Sequence, residues 1–126
     1  MTGLFAGASA IEELLKQEKS ANLTILVVWE PILASDWSRP TRPVLGRISD
    51  PRVKQFWDKD HRIAKQLDQQ LSTSQPNCCR HAGILWDVAA LYPKRVQWRG
   101  SQPVFIDGSV AKVEAELAKQ LSAAVR

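Results

Sequence analysis

The chain has 126 residues, of which 44% are hydrophobic and 24% are charged, and its formal net charge at pH 7 is +4. These values are typical of one globular domain with a real core, so we predict a single domain over residues 1–126. The sequence contains no apolar run that could span a membrane and no basic N-terminal start of a signal peptide, so the expected location is the cytoplasm. The basic residues are scattered among acids, which disfavours nucleic acid or a membrane surface as the partner.

The first predicted elements are a helix and a strand. Residues 9–19 have a capping serine at Ser9 and an apolar stripe at helical spacing, which predicts a helix. Residues 22–31 form a nearly unbroken apolar run rich in β-branched residues, which predicts a strand at about 23–29 buried on both faces. Glu30 follows this strand at its carboxyl end, where open α/β sheets usually bind ligands.

The middle of the chain begins with a predicted loop and turn. Prolines and a glycine interrupt residues 31–49, and loops of this length are usually functional or mobile. Trp37 lies in this loop, where it can pin the segment onto the body of the protein. Asp50 and Pro51 form a helix-start signal, which predicts a short helical turn before a strand at 53–57.

The second half alternates helical and strand patterns. Asp58 or Asp60 is expected to cap a helix at about 59–71, and a loop follows at 72–83. The remaining predicted elements are two strands and a closing helix, at 84–92, 103–107 and 110–125, with a tight turn at Asp107–Gly108.

Several segments together resemble a family of bacterial thioredoxin-like proteins, most of them uncharacterised. The resemblance lies in VVWEPILASDW, DPRVKQFWD, ILWDVAALYP and the closing PVFIDG with its helix. It implies an α/β, thioredoxin-like fold with a central sheet of about 3–4 strands flanked by helices.

The chain departs from this family at its N-terminus. Longer relatives carry a strand and a Cys-x-x-Cys motif before the first helix, whereas here Met1 and Leu4 fall near the two cysteine positions and the first strand is missing. Ala82 and Gly83 also stand where thioredoxins place a cis proline. Because thioredoxin-type exchange needs an activated thiolate and a resolving cysteine, we expect the usual redox site to be inactive.

The missing strand has a consequence for the sheet. In the fold that the resemblance implies, this strand lies between the strands at 23–29 and 84–92. Because buried strand edges must be paired, either these two strands pair in a rearranged sheet or a second copy fills the gap. A homodimer is the preferred prediction, and a start codon further upstream is a third explanation.

Indole and carboxylate side chains recur together near the predicted strand ends. Carboxylates beside large aromatics can acquire a raised pKa and act as acids, or they can line a ligand pocket. The candidate ligand-binding residues are Trp29, Glu30, Trp37, Asp58, His61 and Asp87. The structural alternative is that the indoles fill the core, Asp58 caps a helix and Asp87 bonds backbone. Motifs of known enzyme classes are absent from the sequence, so no catalytic residue and no cofactor is predicted.

Cys78, Cys79, Arg80 and His81 form the one stretch with soft-ligand chemistry. A disulfide scaffold is excluded because a bond between neighbours strains the intervening peptide and the chain has no other cysteine. Three interpretations stay open: idle loop cysteines, a reactive or regulatory thiol beside Arg80, and a thiophilic metal bound by both cysteines and His81.

The sequence as a whole predicts a redox-inactive thioredoxin-like protein that binds a partner protein or a small ligand, as a homodimer. The alternative is a thiol-dependent redox or metal-handling protein that acts through Cys78, Cys79 and His81.

Overall fold

The computed structural model describes residues 2–31, 40–71, 75–81, 83–97 and 101–125, except for the side chains of residues 2–6 and 81. Four helices lie within these ranges, α1 (Thr2–Gln17), α2 (Arg42–Leu45), α3 (Arg62–Gln70) and α4 (Val110–Ala124). The strands are β1 (Ile25–Trp29), β2 (Val53–Trp57), β3 (Arg80–His81), β4 (Ile84–Leu85), β5 (Val88–Leu91) and β6 (Phe105–Gly108). The mixed α/β class is thus confirmed.

The strands of the described ranges form three separate sheets of two strands each. β1 and β2 are parallel and run in register from Ile25 opposite Val53 to Trp29 opposite Trp57. β3 pairs with β4, and β5 pairs with β6, both antiparallel. The prediction of one central sheet is therefore corrected, because β1 and β5 lie in separate sheets.

The main core lies between α1, α4 and one face of the β1–β2 sheet. Leu14 and Leu15 of α1 pack there with Trp29 of β1 and Leu121 of α4. Leu15 is only 1% exposed. The apolar residues of both helices recur at helical spacing, so each helix presents one apolar stripe to this core. A smaller cluster of Leu71, Leu85 and Ile106 joins the end of α3 to β4 and β6.

The other face of the β1–β2 sheet is open. Because side chains alternate along a strand, Leu26 and Val28 share this face with Lys54 and Phe56 of β2. Leu26 is 59% exposed and Phe56 is 46% exposed. The predicted burial of the strand on both faces is therefore wrong, since α3 packs on β4 instead.

Several element boundaries confirm the predictions, and others differ. The helix predicted over 9–19 begins already at Thr2, and the loop predicted over 31–49 contains α2. The strand at 53–57 and the closing helix stand where the sequence places them. The predicted strand at 84–92 is divided into β4 and β5, because Asp87 has a φ of 52° that interrupts extended backbone. The predicted turn at Asp107–Gly108 is instead the end of β6.

Arg52 connects the turn before β2 to the end of α1. Its guanidinium donates hydrogen bonds to the carbonyl oxygens of Leu15, Glu18 and Ser20, at 3.0, 2.8 and 2.8 Å. It also pairs with the carboxylate of Asp50 at 2.8 Å. Because the last carbonyls of a helix lack partners within the helix, Arg52 satisfies acceptors that would otherwise need water. Asp50 thus anchors Arg52 rather than starting a helix.

Candidate functional site

Glu30 and Asp58 follow β1 and β2, at the carboxyl ends of the two parallel strands. The backbone N–H of Asp58 donates to the carbonyl oxygen of Trp29 at 2.7 Å, so the strand pairing extends one step past β2. His61 is close in sequence, and its backbone N–H donates to the carbonyl oxygen of Asp58 at 3.2 Å. Glu30, Asp58 and His61 therefore meet at one edge of the sheet, as their positions after the strands suggested.

Asp58 holds the start of α3. It is the one charged side chain that is almost fully buried in the described part of the chain, with 6% exposure. Its carboxylate accepts hydrogen bonds from the backbone N–H groups of Arg62, Ile63 and Ala64, at 2.8, 2.9 and 3.2 Å. These N–H groups have no partner within the helix, and a negative charge at this end also suits the helix dipole.

Glu30 and His61 face each other without a hydrogen bond between them. His61 Nδ1 lies 3.6 Å from Glu30 Oε2, and the two side chains are 20% and 11% exposed, respectively. Within the described residues, neither Glu30 Oε1 nor His61 Nδ1 has a hydrogen-bond partner. Burial and, to a smaller extent, the neighbouring charge of Asp58 together raise the pKa of Glu30 to about 7. Glu30 can therefore take up and release a proton near neutral pH.

The other candidate ligand-binding residues lie elsewhere or have structural roles. Trp29 belongs to the core and donates from its indole Nε1 to Gln55 Oε1 at 2.8 Å. Asp87 accepts a hydrogen bond from the backbone N–H of Val110 at 3.1 Å, which places it at the start of α4. Trp37 lies outside the described residues. Of the six candidates, the structure brings together Glu30, Asp58 and His61.

Cys78 and Cys79 are joined by a disulfide, with 3.7 Å between their Cα atoms. The sequence argument that a bond between neighbours is disfavoured is corrected here, while the exclusion of a disulfide scaffold stands because the bond joins no distant elements. Cys78 is exposed and Cys79 is partly exposed. Cys79 has a φ of 71°, in the left-handed region that non-glycine residues seldom adopt.

The backbone around the disulfide is held on both sides. Asn77 donates to the carboxylate of Asp107 from its backbone N–H at 2.9 Å and from its side-chain amide at 3.2 Å. These bonds, with one from the backbone N–H of Gly108, lower the pKa of Asp107. On the other side, the backbone N–H of Trp86 donates to the carbonyl oxygen of Cys79 at 3.0 Å.

Gly108 at the end of β6 lies against the two sulfur atoms. A Cβ atom at this position would lie 2.9 Å from Cys79 Sγ, 3.2 Å from Cys78 Sγ and 2.4 Å from the carbonyl oxygen of Asp87. A side chain does not fit there, so a glycine is required. Sequence reasoning missed the contribution of Asp107 and Gly108, whose only signal was an Asp–Gly pair that is also typical of turns.

Arg80 is engaged away from the sulfur atoms. Its guanidinium pairs with Asp68 of α3 and with the side chain of Gln75. In the part of the chain that the structure describes, no group of three or more His, Cys, Asp or Glu residues is placed to hold a metal ion. The proposed metal set of Cys78, Cys79 and His81 cannot be judged from geometry, because the side chain of His81 lies outside the description.

Comparison with known family models, curated proteins and solved structures gave no match to this chain. Of the helices in the described ranges, none is both long enough and apolar enough to cross a membrane. Any functional conclusion therefore depends on the geometry of the two sites and of the sheet.

Proposed function

We propose that the protein is a non-catalytic binding module of thioredoxin-like fold, without the usual thioredoxin redox pair. In this proposal it resides in the cytoplasm and acts as a homodimer in which β1 pairs with β1 of a second copy. The observation that carries the proposal is that, among the described residues, β1 is hydrogen-bonded to a strand on one side only.

The free edge of β1 is a defined surface. Along the described chain, β1 pairs with β2 on one side, and no backbone hydrogen bond is found on its other side. β5 likewise pairs only with β6 among these residues. Two half-paired strands are what a thioredoxin-like sheet leaves when the strand between them is missing. Free strand edges readily pair with other chains, so we expect the edge of β1 to be covered.

The exposed apolar face beside this edge supports the same proposal. Leu26 and Phe56 lie there, 59% and 46% exposed. Apolar surface next to a free edge favours association over solvation. A surface that is exposed whenever the protein is folded needs a partner that is always present, and a second copy of the chain meets this condition.

Two-fold symmetry specifies how two such edges can meet. Two copies of β1 related by a two-fold axis run antiparallel, and an axis at Val27 places Leu26 of one copy opposite Val28 of the other. The result is a continuous sheet of four strands in the order β2-β1-β1-β2. Directly opposite residues interact strongly, so charges placed at these two positions control the pairing.

The experiment is a charge exchange across this interface. We expect sedimentation velocity to show a dimer for the wild type, and monomers for the double variants Leu26→Lys with Val28→Lys and Leu26→Glu with Val28→Glu. Mixing the two variants should restore a dimer, because each lysine then faces a glutamate. The control adds two lysines at Ala111 and Ala115, which are exposed on α4, and should remain dimeric. A monomeric wild type, or charged variants that stay dimeric alone, would refute the proposal.

The cluster of Glu30, Asp58 and His61, at the carboxyl ends of β1 and β2, supports binding of a small ligand as a second candidate function. Glu30 Oε1 and His61 Nδ1 are buried and have no protein hydrogen-bond partner within the described residues. A small molecule with an N–H donor would satisfy the carboxyl oxygen. A thermal-shift series of simple amines and amides should stabilise the wild type but not Glu30→Leu, which has no acceptor atom at this position, and equal shifts in both proteins would exclude this site.

A further inference from the structure

The bond between Cys78 and Cys79 contributes little to holding the fold together. A disulfide stabilises a protein mainly by closing a long loop in the unfolded chain, and a bond between adjacent residues closes none. The backbone on either side is already fixed by the bonds of Asn77 to Asp107 and of Trp86 to Cys79. The loop can therefore keep its place whether or not the two sulfur atoms are bonded.

The two cysteine residues are exposed to solvent to different degrees. Cys78 is exposed, and Cys79 is partly exposed. On their inner side they lie against Gly108, where a Cβ atom would come within 2.9 Å of Cys79 Sγ and 3.2 Å of Cys78 Sγ. Attack on a disulfide requires access to one sulfur along the bond, and the more exposed residue, Cys78, is the one that we take as the point of attack.

We propose that Cys78 and Cys79 form a reversible redox site that is reduced by dithiols and resists monothiols. In the first step, a thiolate of the reductant attacks Cys78 Sγ, the bond between the two cysteines breaks, and Cys79 leaves as a thiolate that takes up a proton. In the second step, the other thiolate of the reductant attacks its own sulfur in the mixed disulfide and releases Cys78 as a thiolate. The protein gains two electrons and two protons, and the reductant becomes a disulfide.

The adjacency of the cysteines accounts for the preference. After the first step, the thiolate of Cys79 stands next to the mixed disulfide on Cys78, and its effective concentration there is high. With a monothiol, Cys79 re-forms the original bond and expels the reductant. With a dithiol, the second step takes place within the same complex and releases Cys78 before Cys79 can attack the mixed disulfide. Stable disulfides are uncommon in cytoplasmic proteins, so a bond that cycles also fits the location proposed above.

The experiment compares dithiothreitol with glutathione at equal thiol concentration on the native, air-oxidised protein. Free thiols are trapped with N-ethylmaleimide and counted by intact mass spectrometry. We expect two maleimides per chain to be added after reduction, and this state should appear at least roughly tenfold faster with dithiothreitol than with glutathione. The far-ultraviolet circular dichroism spectrum should stay unchanged. In Cys79→Ser, which lacks the resolving thiol, exchange of the Cys78 thiol with glutathione disulfide should leave a persistent glutathione adduct and release one glutathione, whereas the reduced wild type under the same conditions should re-form its own disulfide and accumulate no adduct.

Three results would overturn the inference. The first is that the reduced wild type keeps both thiols free when it is incubated with glutathione disulfide. The second is equal reduction by both reagents, or a stable glutathione adduct on the wild type. The third is a disulfide that dithiothreitol reaches only in urea. The variant Cys78→Ser also keeps a single thiol, at Cys79. With glutathione disulfide it should form little adduct, because Cys79 is the less exposed of the two residues.

Discussion

Replacing Glu30 with glutamine tests the raised pKa of this residue, which lies at the carboxyl end of β1. Burial and the charge of Asp58 raise the pKa of Glu30 from 4.5 to about 7. A carboxyl with a raised pKa binds its proton more tightly in the folded than in the unfolded protein. Protonation of Glu30 therefore makes its full contribution to the free energy of unfolding below pH 4.5. This contribution is lost as the pH rises to about 7 and stays absent at higher pH.

The size of the effect follows from that interval. Each tenfold difference in proton affinity corresponds to about 1.4 kcal/mol, so the loss between pH 4.5 and pH 7 is at most about 3.5 kcal/mol. The Glu30 side chain is 11% exposed, and some contact with solvent reduces the cost of its charge. We therefore expect Glu30→Gln to raise the free energy of unfolding at pH 8 by about 1–2 kcal/mol.

Urea denaturation followed by tryptophan fluorescence measures this directly. The stabilisation by Glu30→Gln should be present at pH 8 and nearly absent at pH 4.5, because the wild-type carboxyl is then largely protonated in the fold. Glu13→Gln, at an exposed position of α1, is the matched control and should have little effect at either pH. If Glu30→Gln destabilises the protein at pH 8, favourable interactions of the charged carboxylate outweigh the cost of its burial, and the reasoning is refuted.

Two further substitutions test contacts that position the elements. Asp58→Ala leaves three backbone N–H groups of α3 without their acceptor and should lower the free energy of unfolding by about 2 kcal/mol, with Asp60→Ala as the exposed control. An equal loss in both variants would argue against the capping role. Arg52→Lys cannot reach all the carbonyls at the end of α1 and should cost about 1–2 kcal/mol in urea denaturation at pH 7. Since Arg52 lowers the pKa of Asp50 to about 2, the wild-type advantage should be present above pH 3.8 and shrink as pH falls towards 2; an advantage independent of pH would contradict this pairing.

The local elements could be predicted because their signals are local. Periodic apolar residues located α4, and β2 lies where a strand was expected after the Asp50–Pro51 turn. Glu30 and Asp58 were both candidates because they follow predicted strands, and they meet because β1 and β2 are parallel and end on the same side of the sheet. The geometry that turns this edge into a proton-binding site, with His61 Nδ1 3.6 Å from Glu30 Oε2, depends on the packing of α3 and could not be predicted from the sequence.

Contacts between distant residues were beyond the sequence pattern. The setting of the disulfide depends on Asp107, Gly108 and Asp87, each 8 or more positions from Cys79 and each also typical of an ordinary turn or cap. The pairing of Arg80 with Asp68 removed the cation that favoured an activated thiol. A single sequence contains no periodicity that reports such pairs, so the cysteines stayed ambiguous between idle, reactive and metal-binding roles.

The wrong prediction for β1 is itself informative. Its composition is that of a strand covered on both faces, whereas the single chain covers one face and leaves Leu26 59% exposed. An apolar composition indicates that a strand is buried in the functional assembly. It does not show whether the same chain or a second chain buries it. Pairing of β1 across a two-fold axis would place Val28 of the second copy beside Leu26 and cover part of this surface. The excess of apolar residues on the open face is thus expected if the working state is the dimer, and it has no use in a monomer.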